Sequence, residues 1–170
     1  TIYEHKGKLE GLKLSYIGDG NNVTHSLLHA CAMAGMDMAV ATPAGYECAP
    51  EIVAEAKEIA KRTGSKITIT HDPVEAISDS DAVYADTWVS MGQEAEKAKR
   101  IEIFKPYQIN AELFAKAKSD AIFLHCLPAY RGYEVTEDVI DGPQSVIFDE
   151  AENRLHAQKA IMTMVMGNLE

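Results

Sequence analysis

Positive charge is scarce in this chain: 16 Lys and Arg stand against 26 Asp and Glu, for a formal net charge of −10 and a pI near 5.0. With no clustered basic face, the summed field repels nucleic acid and anionic lipid and mildly favours cationic partners, so no nucleic acid and no membrane partner is expected. Cysteine is also sparse. The three present, Cys31, Cys48 and Cys126, are an odd number spaced as neither a disulfide framework nor a Cys-x-x-Cys zinc site. A reducing cytoplasm is the expected location, no metal-ligand spacing is visible, and no cofactor is expected. Apolar runs long enough to cross a bilayer are missing, as are signal- or transit-peptide patterns and low-complexity tracts. The chain opens at Thr1 without methionine, so we expect it to have been cut from something longer.

What is there suits one compact unit. The 170 residues are 46% hydrophobic and 25% charged, enough to bury a core without staples, and we assign residues 1–170 to a single domain. Short β-branched runs, "LKLSYIG", "MDMAVAT", "KITIT", "DAVYAD", "AIFLHC" and "SVIFD", read as strands. Helical patterns fall between most of them, over 23–35, 50–63, about 91–100, about 110–118 and 150–166, with Gly35, Pro50, Gly64 and Pro106 as punctuation. This alternation predicts an α/β fold: a three-layer, doubly wound, Rossmann-like parallel sheet with helices on both faces. Ligands of such sheets sit beyond the carboxyl ends of the strands, so the residues that follow each strand are the ones to weigh.

The first strand runs into "IGDGNNVTHS". Two glycines in a strand-to-helix turn suggest a dinucleotide fingerprint, but the third glycine position holds Val23 and the second strand ends without the acid that would hold a ribose. Asn21 and Asn22 are helix-cap residues by type; one cap is needed, which leaves one amide for a ligand. The fourth strand leads to "ADTWVSMGQE", where Ser90 and Gln93 have capping-box spacing. Asp86 follows the apolar strand directly and requires a partner, either a substrate amine or a structural Lys or Arg. In "FLHCLPAYRG", His125 and Cys126 are neighbours on a strand and point to opposite faces, which disfavours a Cys–His nucleophile pair. Each also has a packing explanation, as a hydrogen-bonded core histidine and a small buried apolar residue. The last helix begins "DEAENRLHAQKA", and Arg154 in a first turn opposes the helix dipole. It can clamp an anion or pair with Glu150.

Together, "GDGNN", "DTWVSMG", "FLHCLP" and "ENR", in that order at strand ends and a helix start, resemble the ornithine-binding domain of the ornithine carbamoyltransferase family, over nearly the whole chain. That resemblance implies transfer of the carbamoyl group of carbamoyl phosphate to the δ-amine of ornithine, giving citrulline and phosphate. It implies that Asn22, Asp86, Ser90 and Met91 hold the α-amino and α-carboxylate groups of ornithine. Cys126 and the carbonyl of Leu127 would lie beside the reacting amine, and His125 and Arg154 would contact carbamoyl phosphate. Cys126, His125 and Arg154 are thus the expected catalytic residues.

The family's separate N-terminal domain holds carbamoyl phosphate through a Ser-Thr-Arg-Thr segment, which does not occur here. The isolated chain is therefore expected to be inactive. The family forms homotrimers largely through that other domain. Aspartate enzymes of this type lack the Ser-Met-Gly loop. Putrescine and acetylated-ornithine enzymes come closer, but their substrates lack or mask the free amino-acid head group that Asp86 and Ser90 are suited to read. A non-catalytic amino-acid-binding domain is the alternative from another class.

Overall fold

The computed structural model describes residues 1–89, 92 and 94–167. Five strands, β1 (Lys13–Ile17), β2 (Asp37–Ala41), β3 (Ile67–Thr70), β4 (Ala82–Ala85) and β5 (Ile122–His125), form one sheet in the order β3-β2-β1-β4-β5. Every pairing is parallel. Among the described residues eight α-helices accompany them: α1 (Ile2–Lys6), α2 (Asn22–Ala34), α3 (Pro50–Thr63), α4 (Pro73–Ile77), α5 (Lys97–Phe104), α6 (Ala111–Phe114), α7 (Glu137–Ile140) and α8 (Ile147–Met166).

Both faces of the sheet are dry, and side-chain alternation divides them. Leu14, Tyr16, Met38, Val40, Tyr84 and Leu124 point into one core with Leu28, Cys31 and Ala32 of α2 and Ala56 and Ala60 of α3. Ile17, Ala39, Ala41, Val83, Ala85 and Phe123 point into the other, with Ile77 of α4 and Val139 and Ile140 of α7. This is the expected three-layer, doubly wound α/β architecture, with near-continuous apolar strands because neither face meets water.

The punctuation acts where the sequence places it. α3 begins with Pro50 in its first turn, and Gly35 and Gly64 close α2 and α3 with φ of 70° and 81°, a left-handed conformation that a side chain disfavours.

Four expectations need correction. "SVIFD" is not a strand: Ser145 makes one isolated bridge to Phe123, and the chain turns at Val146 straight into α8. Val146 and Ile147 are buried, so the apolar run that imitates a strand is a helix start pressed on β5. α8 consequently begins at Ile147 and not at 150, and Arg154 lies two turns in, where the dipole argument no longer applies. Of the helix expected near 91–100, Met91 and Gln93 lie outside the described residues, and the part from Glu94 is a short 3₁₀ turn, Glu94–Glu96, followed by α5, which runs on to Phe104. The one expected near 110–118 is a single turn, α6.

The strand order places the topological switch at β1 and β4, since β1 leads outward to β2 and β3 and the chain then returns to β1's other side. The ends of β1 and β4 therefore face a common crevice. Gly20 lets the β1–α2 turn enter it: its N–H donates to Tyr46 O at 2.9 Å, and a Cβ there would collide with the backbone of Glu47 and Cys48. The close approach that Gly20 permits is to the protein's own chain. Gly20→Ala should cost about 1–3 kcal/mol through overpacking. Urea denaturation checks this, and a stability unchanged from wild type would refute the packing assignment.

Candidate functional site

Three strand ends meet on one carboxylate. Asn21, just past β1, caps α2 by accepting Val23 and Thr24 N–H at 3.0 and 3.2 Å, and its amide donates to Asp86 Oδ2 at 2.8 Å. Asp86, just past β4, also receives Thr87 N–H at 2.7 Å and the Cys126 thiol, just past β5, at 3.1 Å, both on Oδ1. Asp86 is 7% exposed, and among the described residues no Lys or Arg pairs with it. All its donors are neutral. The three occupy three of roughly four acceptor positions on a carboxylate, which leaves room on Oδ2 for one more donor. A nearly buried carboxylate without a cation is costly, so a cationic ligand group gains by docking there.

Asn22, the first residue of α2, makes no side-chain hydrogen bond among the described residues and lines a cleft of about 490 Å³. Opposite it stand His125, Cys126, Tyr84 of β4, and Glu150 and Arg154 of α8. Arg154 is exposed and, among the described residues, forms no ion pair; the Glu150 pairing considered from sequence is not formed. Glu150 instead accepts His125 N–H at 2.9 Å, and the Tyr84 hydroxyl also bonds to it. Burial raises the Glu150 carboxyl above its usual range, opposed by those two hydrogen bonds.

Burial, then the hydrogen bond and charge of Asp86, push the Cys126 thiol up to about 12. It is a protonated donor near neutrality, unlike a cysteine nucleophile, whose thiolate is favoured by its surroundings. His125 borders the cleft, but its side chain is fully covered: Nδ1 accepts Leu127 N–H at 2.9 Å and Nε2 lies 3.3 Å from Glu134 Oε1. The two neighbours therefore diverge, one toward Asp86 and one toward Glu134. Leu127 has φ of +55°, a left-handed conformation that costs a leucine about 1–3 kcal/mol and persists only where surroundings hold it. Ser90 and Met91, and the Ser90–Gln93 capping box, lie outside the described residues.

Support for the β4 end comes from a buried cation that sequence reading passed over. Arg100, 3% exposed, pairs with Asp19 at the end of β1 and donates from Nε to Trp88 O at 2.6 Å. Its guanidinium lies 4.8 Å from the Tyr46 ring centroid and 5.0 Å from that of Phe104. Burial raises the Asp19 carboxyl, and Arg100 counteracts it. Asp19 was visible as an acid at a strand end; Arg100, 81 residues further on, carried no motif.

The structure is a doubly wound α/β domain whose switch-point crevice carries a nearly buried carboxylate and, on its wall, an arginine with no ion pair among the described residues. Residues 10–165 match the family model described as the aspartate/ornithine carbamoyltransferase, Asp/Orn binding domain. The ornithine carbamoyltransferase of Caldicellulosiruptor saccharolyticus is 63% identical over 97% of this chain and 54% of its own length. That of Thermococcus kodakarensis is 55% identical over 100% of this chain and 54% of its own. The solved ornithine carbamoyltransferase from Pyrococcus furiosus superposes with a TM-score of 0.95 at 52% identity, over 99% of this chain and 54% of that one. The chain belongs to the aspartate/ornithine carbamoyltransferase family, as its Asp/Orn-binding domain. It spans about half the length of the curated relatives it matches.

The thiol assignment is open to direct measurement. Alkylation of Cys126 by iodoacetamide, followed by mass spectrometry of its peptide, should be slow at pH 8 and still rising above pH 10. A midpoint near that of an ordinary free cysteine, about 8.5, would contradict the burial of the thiol against Asp86.

Proposed function

We propose that this chain is the amino-acid-binding half of an ornithine carbamoyltransferase, taking ornithine in the switch-point crevice and meeting carbamoyl phosphate together with a second, carbamoyl-phosphate-binding domain. The observation that carries the reading is Asp86: a nearly buried carboxylate, gathered from three strand ends, whose donors among the described residues are all neutral. The α-ammonium of ornithine supplies the missing positive charge. The Asn22 amide, without a hydrogen bond to any described residue, serves the head group with Ser90 and Met91, and Cys126 and the Leu127 carbonyl stand beside the δ-amine.

The reaction needs an uncharged amine aimed at the carbonyl carbon. A C–N bond forms, the amine loses a proton, the C–O bond to phosphate breaks, and phosphate departs. Positioning contributes most on this side, because holding the amine at the carbon replaces a bimolecular encounter. Cys126 orients the amine and, as a protonated thiol, is not acylated. Arg154, exposed on the cleft wall, is suited to the negative charge of carbamoyl phosphate and to the oxyanion that develops during attack. His125, expected from the resemblance to contact carbamoyl phosphate, has its ring covered in this chain, and we assign it instead to shaping the turn that carries Cys126 and Leu127. Assembly as a homotrimer through the other domain, and residence in the cytoplasm, belong to the same reading; three free thiols fit a reducing compartment.

Isothermal titration of the chain with ornithine, norvaline and putrescine tests the substrate. Ornithine and norvaline should bind, and putrescine, which has no α-carboxylate, should bind at least about tenfold more weakly, as expected from losing a charge-assisted contact. Putrescine binding best would overturn the assignment. The chain alone, given ornithine and carbamoyl phosphate, should form no citrulline.

A further inference from the structure

We propose that Glu134 is a positioning residue of this site: through the imidazole of His125 it holds the Cys126–Leu127 turn in its ligand-ready shape. The consequence for ligand binding rests on the ornithine reading; the effect on the ring does not.

Glu134 is 1% exposed and lies outside the cleft. No step of the carbamoyl transfer uses it. Its backbone is fixed, since its carbonyl accepts Ile109 N–H at 2.9 Å. Its Oε1 accepts Tyr130 N–H at 2.5 Å and lies 3.3 Å from His125 Nε2, an ion-pair distance without hydrogen-bond geometry; Nε2 and Oε2 are both buried with no hydrogen-bond partner, so each is the polar group left to answer the other. A carboxylate sealed in this way demands a donor, and among the described residues the His125 ring is the side chain that faces it.

His125 must in turn present a bare nitrogen on its other side. Nδ1 accepts Leu127 N–H at 2.9 Å, and an accepting imidazole nitrogen carries no proton, so the ring proton sits on Nε2. The carboxylate near Nε2 selects that tautomer. In the opposite tautomer Nδ1–H would confront Leu127 N–H donor to donor, and Nε2 would face the carboxylate with a lone pair. Both contacts would be lost together.

What the ring holds is the left-handed Leu127, at φ +55°, which immediately follows Cys126 on Asp86. The path from buried acid to cleft therefore runs Glu134, His125 Nε2–H, His125 Nδ1, Leu127 N–H, and from there to the thiol and carbonyl assigned to the reacting amine. This gives the covered histidine a task that needs no direct ligand contact.

Nitrogen NMR of the chain with ¹⁵N-labelled histidine reads the tautomer, and ornithine titration reads the consequence. Wild type should show His125 protonated at Nε2 and bare at Nδ1. Glu134→Gln retains a carbonyl acceptor and should preserve the tautomer, with ornithine affinity within a fewfold of wild type. Glu134→Leu, which keeps the volume and removes the acceptor, should give mixed tautomers and weaken ornithine about tenfold or more. A Leu variant with unchanged tautomer and affinity would overturn the proposal. Should that variant not fold, Glu134→Gln decides alone, and a lost Nε2 proton in it overturns the proposal equally. If wild type itself binds no ornithine, the substrate reading fails while the tautomer result still judges Glu134.

Discussion

The carboxylate of Asp86 is where the fold becomes a site. A doubly wound sheet brings the ends of β1, β4 and β5 side by side, but parallel strands alone do not fix what the loops beyond them do. Asn21 from the first, Thr87 from the second and Cys126 from the third all donate to this one side chain. The same asparagine that ends the β1 turn also caps α2, so the helix start and the carboxylate are placed together. Asn22 then arrives at the cleft with its amide free of hydrogen bonds to the described residues.

Charge in the molecule is arranged around that node. The buried cation Arg100 is committed to Asp19 and to the Trp88 carbonyl, and it anchors the β4 loop without forming an ion pair with Asp86. Arg154 lies on the cleft wall with no ion pair among the described residues. The arrangement keeps a carboxylate suited to an ammonium apart from a guanidinium suited to an anion. Cys126, held protonated by burial and by Asp86, belongs to the first of these groups.

The architecture was legible because the strand pattern is unambiguous where both faces are buried: Leu14 to Ile17, Met38 to Ala41 and Ala82 to Ala85 are short, apolar and bounded by turn residues. It failed at "SVIFD", where the same apolar run starts a helix, since periodicity over so few residues does not separate the two. The residues after each strand pointed to Asp86, Asn22 and Cys126, because chemistry at a strand end is local in sequence. Glu134, Glu150, Tyr84 and Arg100 were not legible. Their meaning lies in partners up to 81 residues away, and nothing in the spacing of a buried Glu or Arg announces which loop it will hold. Glycine was misleading for a related reason: "GDGNN" shows that a close approach is needed at Gly20, but not that the approach is to the backbone of Glu47 and Cys48.

In the proposed function Asp86 receives the α-ammonium of an amino acid. Norvaline, which has the head group of ornithine and no δ-amine, isolates that contact, and its dissociation constant for the wild-type chain and for Asp86→Asn is the most direct measurement. The account predicts a weakening of about tenfold or more, the usual scale for losing a hydrogen bond to a charged group, with the circular dichroism of the fold retained. Equal affinities in the two proteins would contradict it.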